Sequence, residues 1–391
     1  MELWAWKKKA YSFHTVLIQV LAFLTTVILI EKFDLETYAT LIIYFSYAAI
    51  SHNFITLGLP IRFSHLLHNG ISIRRPLVLI SILILIATLA SFYVSYLLGL
   101  VFLNITILFY NGLIIQIYLV KGQIVTAAFF PILSQCANLF AAYFAPSIES
   151  YIFTWLLFNT ILLVIQSILV AKILKILLST DNPDKLKTLD ISAYLGSIVE
   201  ILHARADVIV LSFLVKPERL AQFAIAKMIV LAIVTVFLNY TRSYTKEIFN
   251  FSKMQQIVTK IIIFYGVGAF LVIAAMLYIS EIKNLIFNIS GIEINKVAKI
   301  FSTYGVQCIF AAITISVGRS ILLYQTLHGE FRKYFIFLSI NLLLMLSAIS
   351  LIAVYSPNLG LLIFFYGVFE LVILLSLVDI VDFSNSLRKK N

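Results

Sequence analysis

The sequence predicts an all-α polytopic membrane protein of about twelve transmembrane helices. Of its 391 residues, 62% are hydrophobic and only 12% are charged, whereas soluble globular proteins have about 25% charged residues. Apolar stretches of about twenty residues, long enough to cross a hydrocarbon core of about 30 Å, recur along the whole chain. These stretches are continuous rather than alternating, which excludes a transmembrane β-barrel.

The expected spans begin with a retained first helix, because residues 12–30 exceed the usual apolar length of a signal peptide, about 7–15 residues, and no small-x-small cleavage site follows. Most later spans end near a proline, where a missing N–H costs least; Pro131 alone lies well inside one. The twelve spans cover residues 12–30, 38–57, 77–97, 100–120, 124–144, 151–171, 190–214, 221–240, 258–279, 300–324, 335–355 and 359–379.

Basic residues predict the orientation of these spans. With a cytoplasmic N-terminus, 20 of the 29 Lys and Arg residues fall on the cytoplasmic side, 6 fall on the opposite side and 3 lie within spans. This is the bias of the positive-inside rule. The chain is therefore expected to be a multi-pass protein of the bacterial inner membrane with both termini in the cytoplasm. Anionic lipid headgroups account for the net charge of +11, so no nucleic acid is needed as a partner.

The sequence lacks the usual signatures of covalent chemistry. It has no Walker A motif, no metal-ligand spacing of His and Cys and no nucleophile elbow, and both cysteines, Cys136 and Cys308, fall inside spans. The predicted loops are all short. These observations predict a protein without enzymatic activity, cofactor or metal.

A polar segment at 172–189 divides the twelve spans into two sets of six. We expect an N-terminal lobe at 1–171, a cytoplasmic linker at 172–189 and a C-terminal lobe at 190–391. Because six is even, an internal repeat would be parallel, about an axis along the membrane normal.

Two short blocks carry a resemblance to a known family. The sequence EKFDLETYA at 31–39, followed by GLPIR at 58–62, resembles the opening helix pair of polysaccharide transporters. The sequences RADVIVL at 205–211 and FAIAK at 223–227 are similar to a second block of that family, although Ala39, Ala221 and Phe223 depart from its usual Gly, Gly and Tyr. The family is the Wzx-type O-antigen flippases of the multidrug/oligosaccharidyl-lipid/polysaccharide (MOP) exporter superfamily.

The resemblance implies two six-helix lobes around a central, often cationic, cavity. It implies that an undecaprenyl-diphosphate-linked oligosaccharide is moved by alternating access, with H⁺ or Na⁺ as coupling ion and with membrane lipids and other polysaccharide-assembly membrane proteins as partners. A drug or metabolite antiporter of the same superfamily is the first alternative. A membrane-embedded polymerase or glycosyltransferase, which would need a larger loop, and a scaffold subunit of an envelope assembly complex are the others.

Charges inside spans mark the candidate functional residues, because each costs about 2.5–3.5 kcal/mol at a helix centre unless it finds a partner or water. Glu200, His203 and Asp207 share one helical stripe, at i, i+3 and i+7, with Arg205 roughly opposite. The stripe, together with Glu370, predicts a site for the coupling ion. A structural polar network, with Arg319 or Lys227 as partner of Glu370, is the alternative.

Basic residues predict where the substrate diphosphate binds. The candidates are Arg62, Arg205, Lys227 and Arg319, since guanidinium and ammonium groups bind phosphate. Arg62 could equally be a positive-inside anchor, and Lys227 and Arg319 could snorkel to an interface. Amide side chains within the spans fit either sugar hydroxyls or hydrogen bonds between helices; they include Asn111, Gln135, Asn138, Asn159 and Gln166.

Overall fold

A computed structural model describes residues 2–56, 59, 63, 74–121, 123–179, 191–243, 254–290, 293–327, 331–355 and 358–369. Those residues form thirteen α-helices and contain no strand. The helices are α1 (Glu2–Lys32), α2 (Leu35–Ile55), α3 (Arg74–Val94), α4 (Tyr96–Val120), α5 (Ile124–Phe144), α6 (Ile148–Ser179), α7 (Ile191–Leu214), α8 (Pro217–Ser243), α9 (Met254–Leu277), α10 (Ile279–Ser290), α11 (Asn295–Leu327), α12 (Phe331–Tyr355) and α13 (Leu359–Val368).

Each of the twelve predicted spans coincides with one helix, although only the first part of the twelfth lies among the described residues. Seven of the described helices are long and apolar enough to cross a membrane unaided, and α9 and α10 together form a further apolar pair bent by 75°. The sequence predicts no helix between the ninth and tenth spans, and this is wrong, because residues 279–290 form α10 and α11 already begins at Asn295. The apolar residues of α10 follow a helical spacing, but the helix is too short to span a membrane. Hydropathy alone therefore did not distinguish α10 from a loop.

The chain divides into two compact units. Unit 1 comprises Met1–Leu29 and Thr40–Arg205, and unit 2 comprises Ile30–Ala39 and Ala206–Asn391. The predicted lobe boundary at 172–189 stays a prediction, since residues 180–190 lie outside the described part of the chain.

Within unit 1, α4 packs against α3 and α6, and α6 also packs against α5. Within unit 2, α11 is the central helix and packs against α8, α9 and α13. The residues of α8 that face α11 are small or apolar, and Ala221, Ile225 and Ala226 are fully buried. Small residues allow helices to approach closely where the surrounding lipid offers no hydrophobic driving force for their association.

Candidate functional site

A buried ion pair joins α7 to α8 inside unit 2. Lys227 Nζ lies 2.7 Å from Asp207 Oδ1 and 2.6 Å from Asp207 Oδ2, and it donates a hydrogen bond to each oxygen. The two side chains are 7% and 0% exposed. Asp207 Oδ1 also accepts a hydrogen bond of 2.8 Å from the N–H of Val208. Both charges are therefore compensated without access to water.

Aromatic residues complete the surroundings of the lysine. The Lys227 ammonium lies 5.0 Å from the ring centroid of Tyr366 on α13, within the range of a cation–π interaction. The Tyr366 ring meets the ring of Phe223, one turn before Lys227, edge to face, with 6.1 Å between the ring centroids. Three helices of unit 2 thus supply the carboxylate, the ammonium and the ring that covers it.

The position of Tyr366 depends on close packing between α13 and α11. A Cβ added at Gly367 would lie 2.4 Å from Ala311 Cα and 2.7 Å from Ala311 Cβ, so only glycine allows this approach. At the start of α13, the Asn358 side chain accepts hydrogen bonds from the N–H groups of Gly360 and Leu361, as an N-cap does. Sequence reasoning missed Tyr366 and Gly367, although glycines seven residues apart on one helix were a signal of close helix packing.

The pairing of Lys227 corrects one prediction. Lys227 does not snorkel to an interface, because Asp207 holds its ammonium among buried residues. Lys227 was also one of the two residues considered as a partner of Glu370 in the alternative of a structural network; the partner observed is Asp207. A signal for this pair was present in the sequence, since opposite charges lie within two consecutive spans, twenty residues apart.

The predicted stripe on α7 is helical throughout, but its members differ in burial. His203 and Asp207 are buried, whereas Glu200, two turns before Asp207, is exposed. Arg205 is half-buried, and so is Arg319 on α11; both are engaged by neighbouring groups. Arg62 and Glu370 lie outside the described residues. Among the predicted site residues that the structure describes, Asp207 and Lys227 are joined directly.

Unit 1 has a different polar interior, built from amides rather than charges. Asn159 on α6 donates to Asn104 Oδ1 on α4 at 3.2 Å and accepts a hydrogen bond of 2.6 Å from Ser134 Oγ on α5. Gln166 donates to Asn111 Oδ1 at 3.0 Å. These amides form hydrogen bonds between helices, as the second of the two sequence interpretations predicts. Asn104 Nδ2 and Gln166 Oε1 remain buried without a hydrogen-bond partner among the described residues.

No group of three or more His, Cys, Asp or Glu side chains that could hold a metal ion occurs in the described ranges. The ion pair instead offers two chemically distinct positions: a carboxylate, which can take a proton or Na⁺, and an ammonium, which can take an anionic oxygen. Occupation of either position by a ligand would release the other partner.

Comparison with solved structures defines the class of fold. A multidrug resistance MATE family transporter of the MOP superfamily, in an inward-facing conformation, matches with a TM-score of 0.66 and 13% identity over 95% of this chain and 96% of that one. The lipid II flippase MurJ matches with a TM-score of 0.62 and 16% identity over 94% and 87%. A eukaryotic MATE transporter matches with a TM-score of 0.59 and 11% identity over 96% and 95%.

In sequence, the chain matches no known family profile and no curated protein. The fold nevertheless spans nearly the full length of both this chain and its structural neighbours. The chain is a multi-pass membrane protein with the fold of MOP-superfamily transporters and flippases, which confirms the resemblance at the level of fold.

Proposed function

We propose that the protein is a flippase that moves an undecaprenyl-diphosphate-linked oligosaccharide, an O-antigen or similar surface polysaccharide unit, across the bacterial inner membrane. Transport would proceed by alternating access and be coupled to a gradient of H⁺ or Na⁺. The observation that carries this proposal is the buried Asp207–Lys227 pair within a MOP fold. The lipid II flippase MurJ shares this fold, which supports a lipid-linked substrate.

The pair supplies a mechanism for coupling. A proton or Na⁺ on Asp207 neutralises the carboxylate and releases Lys227, whose ammonium can then bind an oxygen of the substrate diphosphate. When the substrate leaves, Lys227 returns to Asp207 and displaces the cation. A buried charge that loses its partner is strongly disfavoured, so the state with neither ligand closes the ion pair again.

The energy source follows from the same site. The chain carries no nucleotide-binding motif, and a gradient supplies about 2.3 kcal/mol per charge for every 100 mV. His203 is buried one turn from Asp207 on α7 and is the nearest predicted relay.

Glu200 and Glu370 are proposed to take part in ion entry and exit. Arg62, Arg205 and Arg319 are proposed to bind the diphosphate along its route. The partners on either side would be other membrane proteins of polysaccharide assembly.

Reconstituted vesicles loaded with a fluorescent undecaprenyl-diphosphate oligosaccharide test this function. Arg205→Ala should abolish flipping while the protein still inserts and accumulates, and Arg205→Lys should restore part of the activity, since ammonium replaces only one of the two contacts of a guanidinium. The matched control is Arg219→Ala, which removes an exposed arginine at the start of α8. Full flipping by Arg205→Ala would refute the proposed role of Arg205, and no flipping by the wild type would refute the substrate.

A drug or metabolite antiporter is the second candidate. It is favoured by the TM-score of 0.66 with a multidrug resistance transporter, compared with 0.62 for MurJ. The same vesicles distinguish the two functions, because an antiporter would move a small organic cation against an imposed gradient and leave the lipid-linked oligosaccharide in its original leaflet. Flipping of the lipid with no cation uptake would exclude the antiporter.

A further inference from the structure

The end of α1 and the start of α11 hold each other through two side chains. Glu31 Oε1 accepts hydrogen bonds from the backbone N–H groups of Lys296, at 2.7 Å, and Val297, at 3.1 Å. In return, Lys296 Nζ donates to the backbone carbonyls of Ile30, at 2.7 Å, Glu31, at 3.3 Å, and Phe33, at 2.9 Å. These residues are about 265 positions apart in the sequence.

This exchange satisfies groups that the two helices cannot satisfy themselves. The first N–H groups and the last carbonyl groups of an α-helix have no partner within it. The dipole of a helix also favours an anion at its N-terminus and a cation at its C-terminus. Glu31 supplies the anion for α11, and Lys296 supplies the cation for α1. The two residues therefore form a reciprocal cap, which we call the Glu31–Lys296 clasp.

Both sides of the clasp belong to unit 2. Residues 30–39 group with unit 2, whereas the chain before residue 30 and after residue 39 groups with unit 1. Every bond of the clasp is polar and only partly buried. Water can replace such hydrogen bonds at a small net cost. The polar bonds of the clasp can therefore exchange with water, while the neighbouring side chains of Ile30 and Val297 are buried.

The turn between α1 and α2 has hydrogen bonds of its own beside the clasp. Asp34 caps α2 by accepting hydrogen bonds from Thr37 N–H, at 2.7 Å, and from Thr37 Oγ1, at 2.8 Å. Neither bond involves α11. Residues 30–39 are thus a preformed element that can bind to and leave the start of α11 as one piece.

We propose that the Glu31–Lys296 clasp is a latch that opens and closes during the transport cycle, on the face of the membrane predicted to be periplasmic. This proposal goes beyond the proposed function, because such a latch would act in the transport cycle whichever substrate is transported. When it is closed, the turn between α1 and α2 is held against α11. When it opens, residues 30–39 are freed from that helix end.

Double electron–electron resonance, which measures the distance between two spin labels, tests the latch in the full chain in lipid nanodiscs. Labels at Glu36→Cys and Lys299→Cys, two exposed positions on either side of the clasp, would be placed in a background of Cys136→Ser and Cys308→Ala. We expect a short and a long distance in the wild type. Lys296→Met should raise the ratio of long to short about tenfold, the effect of losing about 1.4 kcal/mol of hydrogen bonding. Lys296→Arg should keep most of the short population.

The matched control is Lys260→Met, which removes an exposed lysine of α9 and should leave the ratio unchanged. Circular dichroism of each variant reports whether the helices persist. An identical distance distribution in the wild type, Glu31→Ala and Lys296→Met would overturn the proposal. A loss of helical signal in Lys296→Met would also overturn it, because the clasp would then be a fixed structural support.

Discussion

Lys227 Nζ lies within 2.7 Å of both carboxylate oxygens of Asp207, and the two side chains are almost entirely withdrawn from solvent. In this geometry the two charges compensate each other, and a ligand that takes one of them must displace the other. A cation on the carboxylate and an anion on the ammonium are therefore linked events. This relationship is the physical basis of the proposed coupling.

The first prediction concerns the stability of this pair. Asp207→Asn or Lys227→Met alone should lower the stability of the purified chain by about 3–5 kcal/mol, because each leaves an uncompensated buried charge. The double variant should recover most of the loss, since neither charge remains. Apparent Tm values of the four proteins in one detergent measure this. If the double variant loses as much as the two single variants combined, the pair is not coupled.

The packing of α13 against α11 gives a second prediction. Gly367→Ala should destabilise the chain by about 1–3 kcal/mol, since its methyl group would overlap Ala311 and Thr314. The ring of Tyr366 should move with the helix and weaken its contact with Lys227. Gly112→Ala on α4 is the matched control, because a Cβ there meets nothing within 4 Å. That change should be neutral or stabilising by up to about 1 kcal/mol. Equal Tm values for the two variants would contradict the close approach.

The amide interior of unit 1 gives a third prediction. Asn159→Ala removes the partner of both Asn104 and Ser134, and we expect it to cost about 1–3 kcal/mol because buried polar groups lose their hydrogen bonds. Thr235→Ala removes a hydroxyl that bonds only within its own helix, to Leu231 O. This control should change the apparent Tm little. An Asn159→Ala variant as stable as Thr235→Ala would show that the amide contacts contribute no net stability.

The clasp gives a fourth prediction, on pH. Glu31 lies just beyond the first predicted span, and burial raises the pKa of its carboxyl above the ordinary value of 4.5. The nearby Glu293 carboxylate acts in the same direction, whereas the N–H groups of Val297 and Lys296 and the charge of Lys296 lower the pKa without reversing the shift. The closed clasp therefore binds a proton more tightly than the open one, in which Glu31 is solvated.

It follows that acid favours the closed clasp and that opening increases as the pH rises through the raised pKa. The ratio of long to short label distances, measured as a function of pH, should rise across this interval in the wild type. Glu31→Gln keeps the acceptor oxygen but cannot titrate, so its ratio should not follow that rise. A wild-type ratio that falls with increasing pH would show that protonation of Glu31 favours the open clasp, contrary to this prediction.

Much of the fold could be predicted from the sequence because membrane spans are encoded locally. Each predicted span coincides with a helix, because a segment of about twenty apolar residues in a membrane must form the hydrogen bonds of its backbone groups within itself. The short helix α10 was missed because its 12 residues are amphipathic and too few to span a membrane.

The site was predicted only in part, because it depends on which helices are neighbours. Asp207 and Lys227 could each be selected as charges inside spans, but that they pair with each other depends on how the fold arranges α7 and α8. Tyr366 carried no signal of its own among the many aromatic residues of the chain. The Glu31–Lys296 clasp joins positions about 265 residues apart, and a single sequence offers no local pattern for such a contact.

The most direct test of the account is whether Asp207 couples flipping to an ion gradient. Vesicles containing the wild type, Asp207→Asn or the control Glu281→Gln, an exposed acid of α10, would carry a labelled undecaprenyl-diphosphate oligosaccharide. The rate of flipping would be measured with and without an imposed H⁺ or Na⁺ gradient, together with binding of the lipid. The account predicts that one gradient accelerates the wild type and the control but not Asp207→Asn, whose lipid binding persists. An Asp207→Asn variant that responds to the gradient as the wild type does would contradict it.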